Sequence, residues 1–405
     1  MWEKLLLALA RKAVVDGRLT LTLPDGSVHA IGGRSAVADC PAIGVTLHDA
    51  SLPRRLVLNP ELALGEAYAD GTLTIADDDL PGLLTMAARA VEQGRMPLAN
   101  RLAARGRMAL RRLAQWNPRR RSRRSIARHY DLSERFYGLF LDESRQYTCA
   151  YYRQPDMTLE AAQLAKMDHI ARKLLLKPGM SVLDIGSGFG SLAIHLAQNY
   201  GVKVTGITLS ETQLADSRAR AAVAGVAGRA TFRLQDYREV TETFDRVVSV
   251  GMMEHVGLPQ YRRYFRQIHD RLADDGVALI HTIGRSDRPA ALSPWFNRYV
   301  FPRGYCPALS EVMPHLQNSG LILADCEVWR GHYERTLREW RRRFEANLPQ
   351  VHKMYDERLG RLWRYYLVGS EVSFTEYHNV VFQMQLSKQR LSVPMTRDYL
   401  YNMPA

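Results

Sequence analysis

The sequence predicts an α/β protein built on a doubly wound, mostly parallel sheet, with a small α+β unit in front of it. Between about residues 181 and 284, strand-like apolar segments alternate with helical segments, which is the pattern of repeated βαβ units. The first of these strands ends in a glycine-rich loop, the place where such sheets bind ligands. The opening 92 residues lack this alternation and carry a hairpin signal instead.

The length of the chain, 405 residues, exceeds that of an ordinary single domain. Its composition, 46% hydrophobic and 24% charged, is typical of a folded globular protein and excludes a wholly disordered or collagen-like chain. We predict a small α+β domain at residues 1–92, an arginine-rich linker at 93–130 and a main α/β domain at 131–395. An insertion or lid is expected near 287–350.

The N-terminal unit is predicted to begin with an amphipathic helix at residues 2–15. Residues 18–23 alternate in hydrophobicity and lead into the turn signal Pro24-Asp25-Gly26-Ser27, which predicts a β-hairpin. Further strands are predicted at 44–47 and 55–58, and helices near 60–68 and 79–92.

The net charge of +13 comes almost entirely from one segment. Residues 93–130 contain twelve arginines and no acidic residue, a charge of +12. Such a patch attracts phosphates, either of nucleic acid or of anionic lipid head groups, whereas an exposed linker is the plain alternative. The interleaved Leu113, Trp116 and Ile126 favour an interface.

Cysteine usage and hydropathy indicate a cytoplasmic protein. Cys40, Cys149, Cys306 and Cys326 lie far apart without a CxxC pair, so neither a disulfide framework nor a zinc site is predicted. No apolar run reaches the ~18 residues of a membrane span, and the opening MWEKLLLALARK is too short in its apolar part for a signal peptide.

The glycine-rich loop runs from Asp184 to Gly190. Its glycines, Gly186, Gly188 and Gly190, are spaced G-x-G-x-G rather than the G-x-G-x-x-G of dinucleotide folds. This spacing resembles motif I of the S-adenosylmethionine-dependent methyltransferases. The resemblance implies that the glycines let the backbone approach the methionyl part of the cofactor and that Asp184 meets its ammonium group.

The next strand end departs from the pattern of many methyltransferases, which place an acidic residue there for the ribose hydroxyls. Here the chain reads Thr208-Leu209-Ser210, and Gln213 on the following helix could supply the hydrogen bond. Simple helix capping by Thr208 and Gln213 is nearly as good an interpretation. Asp236 and Tyr237, after the third strand, are expected beside the adenine amine and ring.

Four sequence blocks together resemble the cyclopropane-fatty-acyl-phospholipid synthases and the related mycolic acid cyclopropane synthases. The blocks are Tyr147–Tyr152, Leu183–Gly186, Gly251–Gly257 and His281–Gly284. The resemblance covers about residues 125–390 and extends to the N-terminal unit. It implies a class I S-adenosylmethionine-dependent methyltransferase fold in 131–395, a lipid-interacting domain in 1–92, and cofactor contacts from Tyr147 and Thr148.

The implied reaction transfers a methyl group from S-adenosylmethionine to the cis double bond of a phospholipid acyl chain. Proton loss and ring closure then leave a cyclopropane. An alkene is a weak nucleophile, so the enzyme must position it and shield the cation from water. In the family the base is a bound bicarbonate, and the matching positions here are Cys149, Glu254, His281, Tyr333 and the main chain of Ile283.

Each of these residues alone has a structural explanation. Cys149 could be a small buried hydrophobe, His281 a core residue, Tyr333 a surface aromatic and Glu254 a helix cap. Only their occurrence together and in order favours the catalytic interpretation. His255, next to Glu254, stays ambiguous.

Two further features bear on the function. The family's cysteine after the Tyr-Tyr-Leu segment is replaced by Ser370, so a covalent cysteine role is doubtful. The resemblance also implies a homodimer at the inner face of the membrane, acting on unsaturated phospholipid acyl chains.

The sequence leaves three other functions to compare with this one. A fatty-acyl methyltransferase with a methyl-branched or methylene product would use the same site. A nucleic-acid methyltransferase is disfavoured because the chain lacks an Asn/Asp-Pro-Pro-Tyr/Phe block and a recognised RNA-binding motif. A noncatalytic lipid-binding protein would leave the cofactor loop unexplained.

Overall fold

The computed structural model describes residues 1–14, 16–33, 42–115 and 133–401. Cys40, Trp116, Ile126 and the arginines at 119–124 therefore lie outside the described residues. The chain divides into two compact units, in which 1–111, 291–302 and 337–378 form the first and the remainder forms the second. The domain boundaries expected from the sequence stay a prediction.

The first unit contains a four-stranded sheet with the order β2-β1-β3-β4. Its strands are β1 (Arg18–Thr22), β2 (Val28–Gly32), β3 (Ala42–Leu47) and β4 (Leu73–Ile75). The hairpin predicted from the Pro-Asp-Gly-Ser turn is present, since β1 pairs antiparallel with β2. β1 also pairs in parallel with β3.

Helices make up most of the first unit. They are α1 (Trp2–Ala13), α2 (Leu52–Leu58), α3 (Pro60–Ala69), α4 (Leu80–Glu92) and most of α5 (Leu98–Ala114). Later segments add α12 (Pro294–Tyr299), the larger part of α14 (His332–Ala346), α15 (Leu348–Met354) and α16 (Glu357–Thr375). Ser370 lies buried on α16.

The strand predicted at 55–58 is wrong, because these residues belong to α2. Pro53 occupies the first turn of this helix, where its fixed φ and missing N–H are tolerated. Arg55 on α2 also forms an ion pair of 3.0 Å with Glu66 on α3. A short apolar run such as Leu56-Val57-Leu58 does not by itself distinguish a strand from a helix.

The second unit is built on a seven-stranded sheet with the order β10-β11-β9-β8-β5-β6-β7. Its strands are β5 (Ser181–Ile185), β6 (Lys203–Thr208), β7 (Ala230–Leu234), β8 (Phe244–Val250), β9 (Leu272–Arg285), β10 (Ile322–Trp329) and β11 (Asn379–Ser387). The five strands from β9 to β7 run parallel, whereas β11 and β10 are antiparallel additions. The strand order reverses between β5 and β8, which is where such sheets bind ligands.

Helices cover both faces of this sheet. They are α6 (Glu134–Tyr137), α7 (Leu159–Lys173), α8 (Ser191–Asn199), α9 (Glu211–Val223), α10 (Met253–Val256), α11 (Tyr261–Arg271), α13 (Leu309–Gln317) and α17 (Asp398–Tyr401). Along β5, Val182 packs in the core that includes Ile170 of α7, while its neighbour Leu183 packs in the core that includes Phe265 of α11. This alternation confirms the doubly wound α/β prediction. None of the helices in the described ranges is long and apolar enough to cross a membrane.

Candidate active site

The loop after β5 is shaped by three glycines in the left-handed backbone region. Gly186, Gly188 and Gly190 have φ values of +83°, +53° and +79°, which residues with a Cβ rarely adopt. A Cβ on Gly190 would lie 2.7 Å from the Cβ of Ser217, whereas a Cβ on Gly188 would meet no described atom within 4 Å. The backbone at Gly188 is therefore open to a ligand, while Gly190 is required by packing.

Asp184 stands one residue before the end of β5 with its carboxylate buried. The residue is 1% exposed, and neither carboxylate oxygen has a hydrogen-bond partner among the residues that the structure describes. Burial raises the pKa of Asp184 to about 7. A cationic ligand group would supply the missing partner, so this carboxylate fits the ammonium group of S-adenosylmethionine.

The end of β6 carries a polar pair rather than a carboxylate. The Thr208 hydroxyl donates to Gln213 Oε1 at 2.9 Å, and both residues are buried. The cap of α9 is Ser210, whose Oγ accepts from the Gln213 amide at 3.3 Å. Capping is thus provided by Ser210, and the Thr208–Gln213 side-chain pair remains a candidate for the ribose hydroxyls.

Asp236 and Tyr237 follow β7. The Asp236 carboxylate accepts from Arg238 Nε at 2.8 Å and from Arg238 Nη2 at 2.6 Å, so it is held by a bidentate guanidinium contact. The Tyr237 ring meets Tyr264 edge to face at 5.5 Å. Burial raises the pKa of Tyr237 to about 12. A ligand at Asp236 would therefore meet a carboxylate that already accepts hydrogen bonds from Arg238.

Glu254 lies on α10, directly after the β8 strand end, and is 7% exposed. Its Oε1 accepts from the Ile283 amide at 2.6 Å, while Oε2 is buried without a partner among the described residues. Burial raises the pKa of Glu254 to about 7, against the lowering effect of the Ile283 hydrogen bond. The Ile283 amide, predicted to hold bicarbonate, thus donates to Glu254 in this structure.

His281 lies on β9, two residues before Ile283, and is 2% exposed. Gln383 stands opposite it on β11, and the Gln383 side-chain amide donates to His281 Nδ1 at 3.1 Å. Nε2 then carries the proton. Burial holds the pKa of His281 well below its ordinary value, so the ring is neutral. The His281 carbonyl also accepts from the Gly251 amide at 2.9 Å, which joins two of the predicted blocks.

Cys149 is fully buried, and its Sγ–H donates to the Ala150 carbonyl at 3.3 Å. Burial raises its pKa, so it is a thiol rather than a thiolate. The Ala150 amide donates to Thr336 Oγ1 at 3.1 Å, and Thr336 lies on α14, three residues after Tyr333. Tyr333 is 9% exposed, which excludes the alternative interpretation of Tyr333 as a surface aromatic residue.

Tyr147 and Thr148 adjoin the same region. The Tyr147 ring meets Tyr137 edge to face at 5.4 Å, and Tyr137 lies 5.9 Å from the ring of Phe189 in the glycine loop. A Cβ on Gly251 would lie 2.8 Å from Thr148 Cγ2. The segment that contains Cys149 is therefore packed against both the cofactor loop and the loop that leads to Glu254.

Several buried polar residues near this site were not found from the sequence. Lys166 Nζ donates to Thr148 Oγ1, and Gln383 donates to His281. Farther along α7, Lys173 donates to Glu327 Oε2, which also bonds His169 Nε2 at 2.7 Å. A signal for Lys166 and Lys173 does exist in the sequence, since these two lysines are seven residues apart and fall on the apolar face of the segment that forms α7.

His255, which the sequence leaves ambiguous, is neutral near pH 7. Burial lowers its pKa to about 4. Among the described residues, no cluster of three His, Cys, Asp or Glu side chains could hold a metal ion. Ser370 belongs to the first unit, whereas Cys149, Glu254, His281 and Tyr333 belong to the second.

The sequence model of the mycolic acid cyclopropane synthetase family matches residues 117–384, which is more than half of the chain. The chain belongs to this family. It is 36% identical over 339 residues to cyclopropane-fatty-acyl-phospholipid synthase of Escherichia coli K12, covering 83% of this chain and 85% of that protein. It is also 32% identical over 407 residues to tuberculostearic acid methyltransferase UfaA1 of Mycobacterium tuberculosis, covering 95% and 93% of the two chains.

A solved structure of mycolic acid cyclopropane synthase CmaA1, complexed with SAH and CTAB, has a TM-score of 0.63 and 31% identity. The match covers 67% of this chain and 99% of that chain. This member of the cyclopropane synthetase family is therefore an enzyme with the S-adenosylmethionine-dependent methyltransferase fold, and S-adenosylmethionine is its methyl donor. The sequence predictions of family, fold class and methyl donor are confirmed.

Proposed function

We propose that the chain converts cis-unsaturated acyl chains of membrane phospholipids into cyclopropane acyl chains. The observation that carries this proposal is the Glu254 carboxyl group, which is buried, fixed through Oε1 by the Ile283 amide, and unpartnered at Oε2. The hydrogen bond between the Gly251 amide and the His281 carbonyl ties this loop to the strand of His281. A fixed acceptor and a neutral imidazole donor suit the orientation of a small oxyanion next to a hydrophobic substrate.

The donor set fits bicarbonate, the anion implied for this family. Glu254 Oε2 can accept from a hydroxyl group, and His281 Nε2–H can donate to an anionic oxygen. The Cys149 thiol would have to turn away from the Ala150 carbonyl, and Tyr333 would be a further donor. Bicarbonate bound there would supply the base for proton removal.

The remaining roles belong to residues of the chain. Asp184 holds the ammonium group of the methyl donor, and the open backbone at Gly188 admits its methionyl part. Thr208, Gln213, Asp236 and Tyr237 contact the ribose and adenine. Once the alkene has taken the methyl group, the buried surroundings exclude water from the cation until a proton is lost and the ring closes.

The test is product analysis with purified protein, vesicles of unsaturated phospholipid, methyl-labelled S-adenosylmethionine and bicarbonate. We expect lipid that is heavier by about 14 mass units, one CH₂, plus the mass of the isotope label that is retained, because methyl transfer is followed by proton loss. Cyclopropane proton signals in the NMR spectrum would support ring closure. Absence of labelled lipid, while the protein binds S-adenosylmethionine, would contradict the proposal.

A second candidate is a fatty-acyl methyltransferase with a methyl-branched or methylene product. The similarity to tuberculostearic acid methyltransferase UfaA1 over 95% of this chain favours keeping it. Both candidates share the methyl donor and the cation. A methylene or unsaturated methyl-branched product differs from the cyclopropane only in which proton leaves, whereas a saturated methyl branch would also need a hydride donor. Labelled product with vinyl or methyl-branch signals instead of cyclopropane signals would select this candidate.

We further propose that the protein is a homodimer attached peripherally to the cytoplasmic face of the membrane. The arginines of residues 93–130 would meet anionic head groups electrostatically. Nucleic acid is not proposed as a partner.

A further inference from the structure

Lys166 is a fully buried lysine held only by neutral acceptors. It lies on α7 with 0% exposure, and its Nζ donates to Gln146 Oε1 at 2.6 Å and to Thr148 Oγ1 at 2.8 Å. No carboxylate forms an ion pair with it among the residues that the structure describes. Because burial penalises an unbalanced charge, it lowers the pKa of Lys166 to about 7. An anion nearby would stabilise the charged form of Lys166.

The charge of Lys166 acts on two of the residues assigned to the anion. Thr148, which accepts from Lys166, directly precedes Cys149 in the chain. Burial is the main influence on both titrating groups, raising the pKa of Cys149 and lowering that of His281, and Lys166 lowers both. The positive charge is therefore close to the donors of the anion site.

The nearest charges to Lys166 do not pair with it directly. The charge of Asp142 favours the protonated form of Lys166, but the Asp142 carboxylate forms no ion pair with Nζ among the described residues and accepts instead from Ser144 and from the Gln146 amide. Cys149 is a thiol and His281 is neutral, so neither balances the ammonium group.

We propose that Lys166 is a positioning residue that supplies the counter-charge for the bicarbonate bound by Cys149, Glu254 and His281. This inference rests on the proposed function. A site made of a thiol, a carboxyl group and a neutral imidazole contains no positive charge of its own, and an anion entering a buried site needs one. Lys166 and the anion then stabilise each other, since each is the missing partner of the other.

A purely structural role for Lys166 makes different predictions. The segment 146–148 is also tied to α7 by Gln163, whose side-chain amide donates to the Thr148 carbonyl at 3.0 Å and to the Gln146 carbonyl at 3.4 Å. If Lys166 served only to hold this segment, a stronger bond to Gln146 would preserve or improve the site. Q146E makes that stronger bond, because it places a carboxylate where Gln146 Oε1 now accepts from Nζ.

The experiment measures the Kd of ¹³C-bicarbonate by NMR titration, with the Kd of S-adenosylmethionine measured in parallel. The variants are K166Q, which removes the charge, K166R, which keeps it, and Q146E, which neutralises it in place. K177Q is the matched control, since Lys177 is an exposed lysine four residues after the end of α7. We expect K166Q and Q146E to weaken bicarbonate binding by about tenfold or more, the effect of one nearby charge. K166R and K177Q should bind within about threefold of the unchanged protein.

Unchanged bicarbonate affinity in Q146E or in a folded K166Q overturns the inference while leaving the proposed function intact. If K166Q does not fold, Q146E still decides, because it retains the lysine and its hydrogen bond. If the unchanged protein binds S-adenosylmethionine but no bicarbonate, the proposed base fails and the inference fails with it.

Discussion

Two buried carboxyl groups, Asp184 and Glu254, should make the stability of the protein depend on pH. Burial raises the pKa of each to about 7 from ordinary values of 3.8 and 4.5. Between these values the folded chain holds protons that the unfolded chain has released. The contribution of each carboxyl group to the free energy of unfolding is therefore present at low pH and is lost as the pH rises through about 7.

Glu254→Gln should remove one of these contributions, since an amide can still accept from Ile283 but cannot titrate. We expect the decrease in the free energy of unfolding between about pH 4.5 and pH 7 to become smaller by on the order of 2 kcal/mol. Urea unfolding at several pH values measures it. E143Q is the control, because Glu143 is exposed. Equal slopes in E254Q and the unchanged protein would show that Glu254 titrates normally.

Gln383 fixes the tautomer of His281. A carboxylate at this position would accept a hydrogen bond from Nδ1–H, which favours the tautomer protonated at Nδ1 over the one protonated at Nε2 and raises the pKa of the ring. Gln383→Glu should therefore lower kcat by about tenfold or more, since a wrong tautomer disables a histidine donor.

The signature of this change is spectroscopic. The ¹⁵N chemical shifts of His281 should report protonation at Nδ1 in Q383E and at Nε2 in the unchanged protein. Q385E is the control, because Gln385 lies two residues further along β11, is also fully buried, and donates to the Lys173 carbonyl at 2.6 Å. A Q383E protein that retains both the Nε2–H signal and full activity would contradict this role.

At the scale of elements, the loop after β5 contains two glycines with different roles. Gly190 is required by packing, whereas Gly188 leaves the backbone open to the cofactor. Gly188→Ala should cost only about 1 kcal/mol of stability, because the added Cβ is strained by its positive φ but meets no described atom. It should nevertheless weaken S-adenosylmethionine binding, since the methyl group fills the proposed cradle. Gly190→Ala should destabilise the protein more strongly, because its Cβ collides with Ser217.

These different roles of Gly188 and Gly190 are tested by measuring the thermal stability and the S-adenosylmethionine affinity of both variants, G188A and G190A. A G188A protein with unchanged cofactor affinity, or a G190A protein as stable as G188A, would be inconsistent with these roles.

The elements of the second unit were predictable because their signal is local. Each βα repeat carries its own apolar pattern and its own turn, so the glycine loop and the block around Glu254 could be assigned to strand ends from the sequence. Residues 55–58 were not predictable in this way, because a short apolar run fits a strand or a helix equally well. In the structure they belong to the helix that begins at Leu52.

Non-local pairing explains the parts of the site that the sequence did not predict. Gln383 faces His281 only through the register of β11 against β9, across 102 residues of chain. The bond from Lys166 to Thr148 depends on how α7 packs against an irregular segment. The local sequence around Gln383 and around Lys166 contains no information about which distant residue each one contacts.

At the scale of the whole molecule, α5 is the described part of the arginine-rich segment, and it is an amphipathic helix with an exposed apolar side. Three leucines of α5, Leu102, Leu110 and Leu113, are 54%, 59% and 75% exposed. Three of the five arginines in α5 are exposed, and these three, Arg101, Arg105 and Arg112, are here called the α5 arginines. At 100° per residue these three leucines fall within an arc of about 80°, and the three arginines border this arc on one side. This pattern suits a helix that lies in the interface of an anionic bilayer.

Membrane attachment through α5 predicts two distinguishable losses in vesicle binding. Replacing the α5 arginines by glutamine should weaken binding to anionic vesicles several-fold, and the residual binding should depend less on salt, because exposed charges are screened within about 8 Å at physiological ionic strength. L102S/L110S/L113S should weaken binding while leaving its salt dependence, since burial of apolar surface does not rely on charge. R262Q/R263Q/R266Q removes three exposed arginines from α11 as a matched control. Equal losses in the α5 and α11 arginine variants would show that net charge alone, rather than α5, attracts the protein to the membrane.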